Sequence, residues 1–321
     1  MKIILVGTVK STLLALETMI EKSIKPITVV TLPLSKAYRH SDFVDLRPLA
    51  LKYNIPIIEA SNINNPETIE KIKSFEPDYM FVIGWSQILN KEVLAIPSKG
   101  SIGYHPAPLP KNRGRAVIPW TILQGEKETG STLFWLDEGV DSGDILLQKI
   151  FPVDFNETAT TLYEKHLKVL KELLLEALSL LINGKAPRIP QDHTKATYCA
   201  KRTPADGYIN WDLPAKHIWT LIRAVTEPYP GAFTFYKGKK LIIWEADYIG
   251  DAPYCGIPGQ IQAFEGTGAL VKCGDGNHIL LKVVQLEGED KILPRNLFKL
   301  HEKLGIDFIS LYQKLHREKD L

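Results

Sequence analysis

Residues 103–119 read GYHPAPLPKNRGRAVIP. An apolar run, Ser101-Ile102-Gly103-Tyr104, ends on His105 and gives way to a loop carrying Pro106, Pro108 and Pro110. Proline fixes φ and stiffens such a loop, and the basic turn that follows (Lys111, Arg113, Gly114, Arg115) has a glycine to let the chain fold back. A strand that hands a polar side chain to a stiff loop is how α/β enzymes present reactive groups. A solvated histidine on a surface loop is the competing reading.

The sequence on the N-terminal side supports the enzyme reading. Short apolar runs at residues 2–6, 26–32, 55–58, 79–83 and 100–104 alternate with helical patterns at 11–22, 42–53 and 65–74, the first with Ser11 as N-cap. This alternation predicts a doubly wound, mostly parallel α/β sheet with binding groups at the C-terminal strand ends. Gly84-Trp85-Ser86, His105 and the turn at 137–141 are expected on that edge. Gly7-Thr8 lacks the rest of a G-x-G-x-x-G pattern, which argues against a dinucleotide site.

On the C-terminal side, residues 130–148 read GSTLFWLDEGVDSGDILLQ: an alternating strand at 132–136 enters an acidic turn. A carboxylate beside an imidazole fixes its tautomer and favours its charged form. Asp137, Glu138 and Asp144 read as solvated, whereas Asp141, between Val140 and Ser142-Gly143, is the candidate partner of His105.

These segments resemble a family. HPAPLPKNRGRAVIPW is similar to the HxSLLPxxRGxxPxxW signature of the formyltransferases that use N10-formyltetrahydrofolate, among them methionyl-tRNA formyltransferase and the sugar-nucleotide N-formyltransferases. GSTLFWLDEGVDSGDIL resembles their second signature. YCAKRTPADGYINWDLPAKHIWTLIRAVTEPYPGAFTF, residues 198–235, resembles the start of their C-terminal domain, most closely in the sugar-modifying members. The resemblance spans about residues 1–285. It implies a Rossmann-like catalytic domain, an OB-like β-barrel, N10-formyltetrahydrofolate as co-substrate and no metal. His105 and Asp141 match two of the family's catalytic Asn, His and Asp; Gly103 stands where the Asn belongs. Loss of one oxyanion donor costs about 10²–10³ in rate. Protonated His105, Asn112, an ordered water beside Gly103 or an exposed backbone N–H are the candidate substitutes. The resemblance implies a pterin site at Ser86, Gln87, Ile88 and Leu89 and at Leu136, Glu138, Gly139 and Val140. Arg113, Arg115, Lys201, Arg202 and Arg223 are candidate substrate contacts, because a forked guanidinium suits phosphate and a lysine ammonium adds a further cation.

The 321 residues suggest two domains. The expected division is a catalytic domain at 1–184, a proline-bearing linker at 185–204, a barrel at 205–290 and a helical tail at 291–321 that is a candidate dimer contact. Within the first domain, residues 157–183 read as a long helix, and His166 as a packing or surface residue. His193 in the linker reads as solvated. A helix is expected at 215–225, and strands at 240–244, 259–263, 269–272 and 278–285. Trp211, Trp219, Tyr229, Phe233, Phe235 and Tyr236 read mainly as core, with base stacking as the alternative.

The formal net charge of +2 and the absence of long basic blocks argue against DNA and against wholesale nucleic-acid binding. Only Lys36 and Arg39 are basic in residues 33–45, thin for gripping tRNA phosphates. Three sparse cysteines, Cys199, Cys255 and Cys273, no signal-peptide pattern and no membrane-length apolar run lead to the expectation of a cytoplasmic protein. The leading expectation is formyl transfer to the amine of a nucleotide-linked amino sugar. Methionyl-tRNA formyltransferase, or a folate-binding protein weakened at Gly103, are the alternatives.

Overall fold

The computed structural model describes residues 1–307 together with Ile309, Tyr312 and Gln313. The chain divides into two compact units. One gathers residues 1–121, 125–155 and 161–201; the other takes 122–124, 156–160 and the residues from 202 on.

The first unit runs β1 (Ile3–Val6), α1 (Lys10–Glu21), β2 (Thr28–Thr31), α2 (Arg47–Lys52), β3 (Ile57–Glu59), α3 (Pro66–Lys73), β4 (Tyr79–Val82), α4 (Lys91–Leu94), β5 (Gly100–His105), β6 (Arg113–Gly114), α5 (Val117–Leu123), β7 (Glu128–Trp135), β8 (Ile145–Pro152), α6 (Ala159–Ile182) and β9 (Tyr198–Cys199). Its seven-stranded sheet has the order β3-β2-β1-β4-β5-β7-β8. The first five strands are parallel, while β7 pairs antiparallel with β5 and β8 antiparallel with β7. Buried on both faces, the central strands are continuous apolar runs, as parallel strands covered by helices must be. Alternate residues serve two cores. Ile3, Leu5, Val29, Phe81 and Ile102 pack with Leu16 and Met19 of α1 and with Leu170, Leu174 and Leu178 of α6. Ile4, Val6, Val30, Met80 and Val82 pack with Ile69 and Ile72 of α3 and Val93 of α4.

The reversal of β7 corrects one expectation. The Leu136 N–H donates to the Ser101 carbonyl, so β7 ends beside the start of β5 and not at its C-terminal edge. Asp141 nevertheless reaches His105, four residues further along β5, about 13 Å at strand rise. The acidic turn therefore runs back along the sheet face to deliver its carboxylate.

The second unit contains α7 (Ala215–Val225), β10 (Ala232–Tyr236), β11 (Lys239–Gly250), β12 (Ile261–Glu265), β13 (Gly268–Lys272), β14 (His278–Leu286) and β15 (Lys291–Ile292). The strand order is β10-β11-β14-β13-β12, with β15 on β14 and every pairing antiparallel. Residues 301–305 span the two edges. The Leu304 N–H donates to the Gly259 carbonyl next to β12, and the Gly305 N–H to the Phe235 carbonyl of β10. This bridging gives the sheet its barrel-like form. Trp211, Trp219 and Tyr236 are core residues, and Phe233 and Phe235 are half-buried. The expected helical tail opens with one 3-10 turn at Pro294–Asn296; beyond residue 307 it falls largely outside the described residues. Among the described residues no helix is long and apolar enough to cross a membrane.

Candidate functional site

His105 closes β5, with Gly103 two residues earlier on the same face of the pleat. His105 is 5% exposed. Its Nδ1 lies 3.6 Å from Asp141 Oδ2, and its Nε2 lies 2.7 Å from the Asn112 carbonyl. Both ring nitrogens thus face oxygens. Asp141 is anchored in turn: the Gly114 N–H donates to Oδ2 at 2.8 Å. Gly114 has φ +103°, and a Cβ there would fall 2.5 Å from the Cys199 carbonyl. Glycine is needed for both reasons, since β6 and β9 pair in parallel at this point.

The structure bears on three of the proposed substitutes for the missing Asn. A Cβ on Gly103 would lie 2.7 Å from Leu136 Cδ2 and 2.9 Å from Phe134 Cε1, so apolar side chains fill the place suggested for a water. The Gly103 backbone sits in the ladder between β4 and β7. Asn112 meets His105 through its carbonyl, an acceptor, and not through its side-chain amide.

Around the resemblance's pterin residues, Gln87 acts as a clamp. Its amide donates to the Ser61 carbonyl at 2.7 Å and accepts from the Ile63 N–H at 3.1 Å. Leu89 is buried in the core and Leu136 packs against it, whereas Ile88 and Val140 are 68% and 47% exposed. Glu138 pairs with Lys91 at 3.3 Å, and the Gly139 N–H donates to Asp137. Ile88 and Val140 supply the uncovered apolar surface among these eight residues, while Leu89 and Leu136 belong to the core.

Arg115 donates a hydrogen bond to the Ser86 carbonyl, and His40 Nε2 lies 3.4 Å from the Ser86 hydroxyl. Burial is the main cause that lowers the His40 pKa; Asp42 works the other way, and Arg115 and Arg39 add to the lowering. Arg113, expected among substrate contacts, is 2% exposed. Its guanidinium bonds Gln191 at 2.6 Å, His193 at 3.1 Å and the Tyr198 hydroxyl at 3.3 Å, which makes it part of the frame of the site. Lys201 is exposed, and Arg202 donates to the Asp206 carbonyl at 2.6 Å. Among the described residues no group of His, Cys, Asp and Glu is arranged to hold a metal ion.

Sequence reasoning missed Gln191, Thr197 and the Asn112 carbonyl. Thr197 accepts from the Asn112 N–H at 2.8 Å. These contacts join residues that are 7 to 85 apart in the chain, so no local pattern announces them.

Residues 2–178 match the family described as formyl transferase, and residues 201–302 match its C-terminal domain. A methionyl-tRNA formyltransferase of Caldanaerobacter subterraneus is 35% identical over 298 residues, 91% of this chain and 94% of that protein. One from Ruminiclostridium cellulolyticum is 33% identical over 95% of this chain and 100% of its own length. Among solved structures, HypX from Aquifex aeolicus in complex with tetrahydrofolic acid superposes with a TM-score of 0.67 at 19% identity, covering 92% of this chain and 46% of HypX. The sugar 3N-formyl transferase WlaRD, solved with dTDP and 5-N-formyl-THF, gives 0.64 at 22% identity, covering 90% of this chain and 99% of WlaRD.

The expectation of a nucleotide-linked amino sugar as acceptor is overturned by these relatives. Five curated proteins, 33–35% identical over 91–95% of the chain, are methionyl-tRNA formyltransferases. The sugar-modifying structures are similar only at a level that speaks for the fold. The expectation leaned on low net charge, but net charge averages over a surface and does not report how cations are placed on it. Family matches over both units and relatives of this identity show that the chain belongs to the formyl transferase family and is an enzyme that transfers formyl groups.

Proposed function

We propose that this chain transfers the formyl group of N10-formyltetrahydrofolate to the α-amine of methionyl-tRNA. The carrying observation is the end-to-end similarity to methionyl-tRNA formyltransferases. In the proposed reaction the neutral amine attacks the formyl carbon, a tetrahedral oxyanion forms, and the C–N10 bond breaks to release tetrahydrofolate. The proton lost by the amine ends on N10. An α-amine with a pKa of about 7.7–8.0 is far more often neutral at pH 7 than a lysine. His105 is the group proposed to move the proton and meet the oxyanion, for which Nε2 exchanges the Asn112 carbonyl, 2.7 Å away, for the reacting atoms. Asp141 orients the ring. Exposed Ile88 and Val140 supply the apolar surface against which the pterin lies.

Gly103 favours a second reading on one point. With Leu136 and Phe134 where the family's donor would stand, a folate-binding protein with weakened transfer is the reading to weigh, since loss of one oxyanion donor costs about 10²–10³ in rate. Incubating the purified protein with N10-formyltetrahydrofolate and methionyl-tRNA, and assaying N-formylmethionyl-tRNA, tests both. Multiple turnovers are expected. Tight folate binding without any formylated tRNA would favour the folate-binding reading instead.

A further inference from the structure

Asp141 has φ +49°, in the left-handed region that residues with a side chain seldom adopt. Such a conformation persists only where surrounding contacts fix it. One contact is the Gly114 N–H on its carboxylate. The other comes from the segment after α6. Gln191, 6% exposed, donates Nε2 to the Asp141 carbonyl at 2.9 Å and to the Gly143 carbonyl at 2.7 Å. Its Oε1 accepts from Arg113 Nη2 at 2.6 Å. The amide has one orientation only, because a flip would set NH₂ against guanidinium and C=O against two carbonyls. Arg113 is itself fixed: its N–H donates to the Thr197 carbonyl at 2.8 Å, and β6 pairs with β9.

The same short segment, Arg113–Gly114, thus grips the Asp141 loop twice, directly through the Gly114 N–H and indirectly through Gln191. We propose that Gln191 is a positioning residue for formyl transfer: it holds Asp141 in the backbone conformation that aims its carboxylate at His105, and Arg113 fixes its orientation. This rests on reading His105 and Asp141 as the catalytic pair. A residue that only stabilised the fold would not need two donors converging on the loop of one acid.

The test uses the full-length protein with Gln191→Glu and Gln191→Met, each alone and combined with Asp141→Asn. Glu retains an acceptor for Arg113, with charge added, but removes both donors; Met removes all three bonds at similar volume. With Asp141 intact, kcat is expected to fall about 10–100-fold with KM changed less than about threefold. In the Asp141→Asn background neither change should lower kcat by more than about twofold, since no carboxylate remains to be aimed. The His105 ring nitrogen resonances, read without any acceptor, should move in Gln191→Met as they do in Asp141→Asn. Wild-type kcat in both Gln191 variants, a loss that persists in the Asp141→Asn background, or unmoved His105 resonances would overturn the proposal. Full activity in Asp141→Asn alone would remove the catalytic-pair reading, and the proposal with it.

Discussion

Leu136 stands where a side chain on Gly103 would go, its Cδ2 2.7 Å from the position of a Cβ. Phe134 closes the same space from the neighbouring strand. The missing Asn is therefore not a simple deletion, because two apolar side chains have taken up the room it would need.

Gly103→Asn should restore the family residue and gain nothing. Overpacking a fitted site costs about 1–3 kcal/mol. We expect a lower melting temperature and formyl-transfer rates no higher than wild type. A rise of about a hundredfold, as recovery of an oxyanion donor allows, would mean that Leu136 and Phe134 yield freely and that the natural chain is a weakened enzyme.

His105→Ala and Asp141→Asn should each reduce kcat by about 10²–10⁴, the range of positioned proton transfer. Because the imidazole acts through its partner, the double variant should lose little more than the worse single one. Initial rates on the four proteins decide this; multiplicative losses would mean that the two residues act separately.

Ile88→Ser should raise KM for formyl-tetrahydrofolate about tenfold, the effect expected when an apolar side chain that the pterin covers is removed. Since Ile88 is 68% exposed, the melting temperature should not move. An unchanged KM would place the pterin elsewhere.

His166 gives a pH prediction. Burial, with a smaller effect from nearby His105, lowers its pKa to about 3; Nδ1 meets the Ser131 hydroxyl at 2.8 Å, and among the described residues Nε2 has no partner. The unfolded chain takes up this proton below about 6.5 and the folded chain does not. The group leaves stability unaffected above that pH. Below it, stability falls by about 1.4 kcal/mol per pH unit until the folded pKa is reached. His166→Gln should therefore lose less stability than wild type between pH 6.5 and 5 in urea melts. Equal slopes would contradict the assignment.

The sequence made the parallel half of the first unit legible, since strands buried on both faces are uniformly apolar and their helices are periodic. Residues 2–6, 79–83 and 100–104 were expected as strands and are β1, β4 and β5 within a residue or so. The expected helix at 42–53 shrinks to Arg47–Lys52 because the Val44 N–H is taken by the Thr8 carbonyl and Pro48 follows. Strand β8 escaped notice: it is an edge strand whose Gln148 and Lys149 interrupt any alternation. His105 and Asp141 stood out by position and motif. Gln191 did not, because a polar residue in a proline-bearing stretch looks solvated until the strand pairing of Arg113 draws that stretch inward.

The pairing of β6 with β9 also limits how this enzyme can be recombined with its relatives. The N-terminal family match stops at residue 178, yet Gln191, Thr197 and Cys199 all contact the frame around Asp141. A crossover between residues 183 and 190 would separate Arg113 from the partners that satisfy its guanidinium, even though it cuts no helix or strand of the seven-stranded sheet. A chimaera joined after residue 201 would keep them all. The heritable unit around His105 and Asp141 is thus longer than its layered architecture, and exchange of C-terminal parts among such enzymes is constrained to the far side of β9.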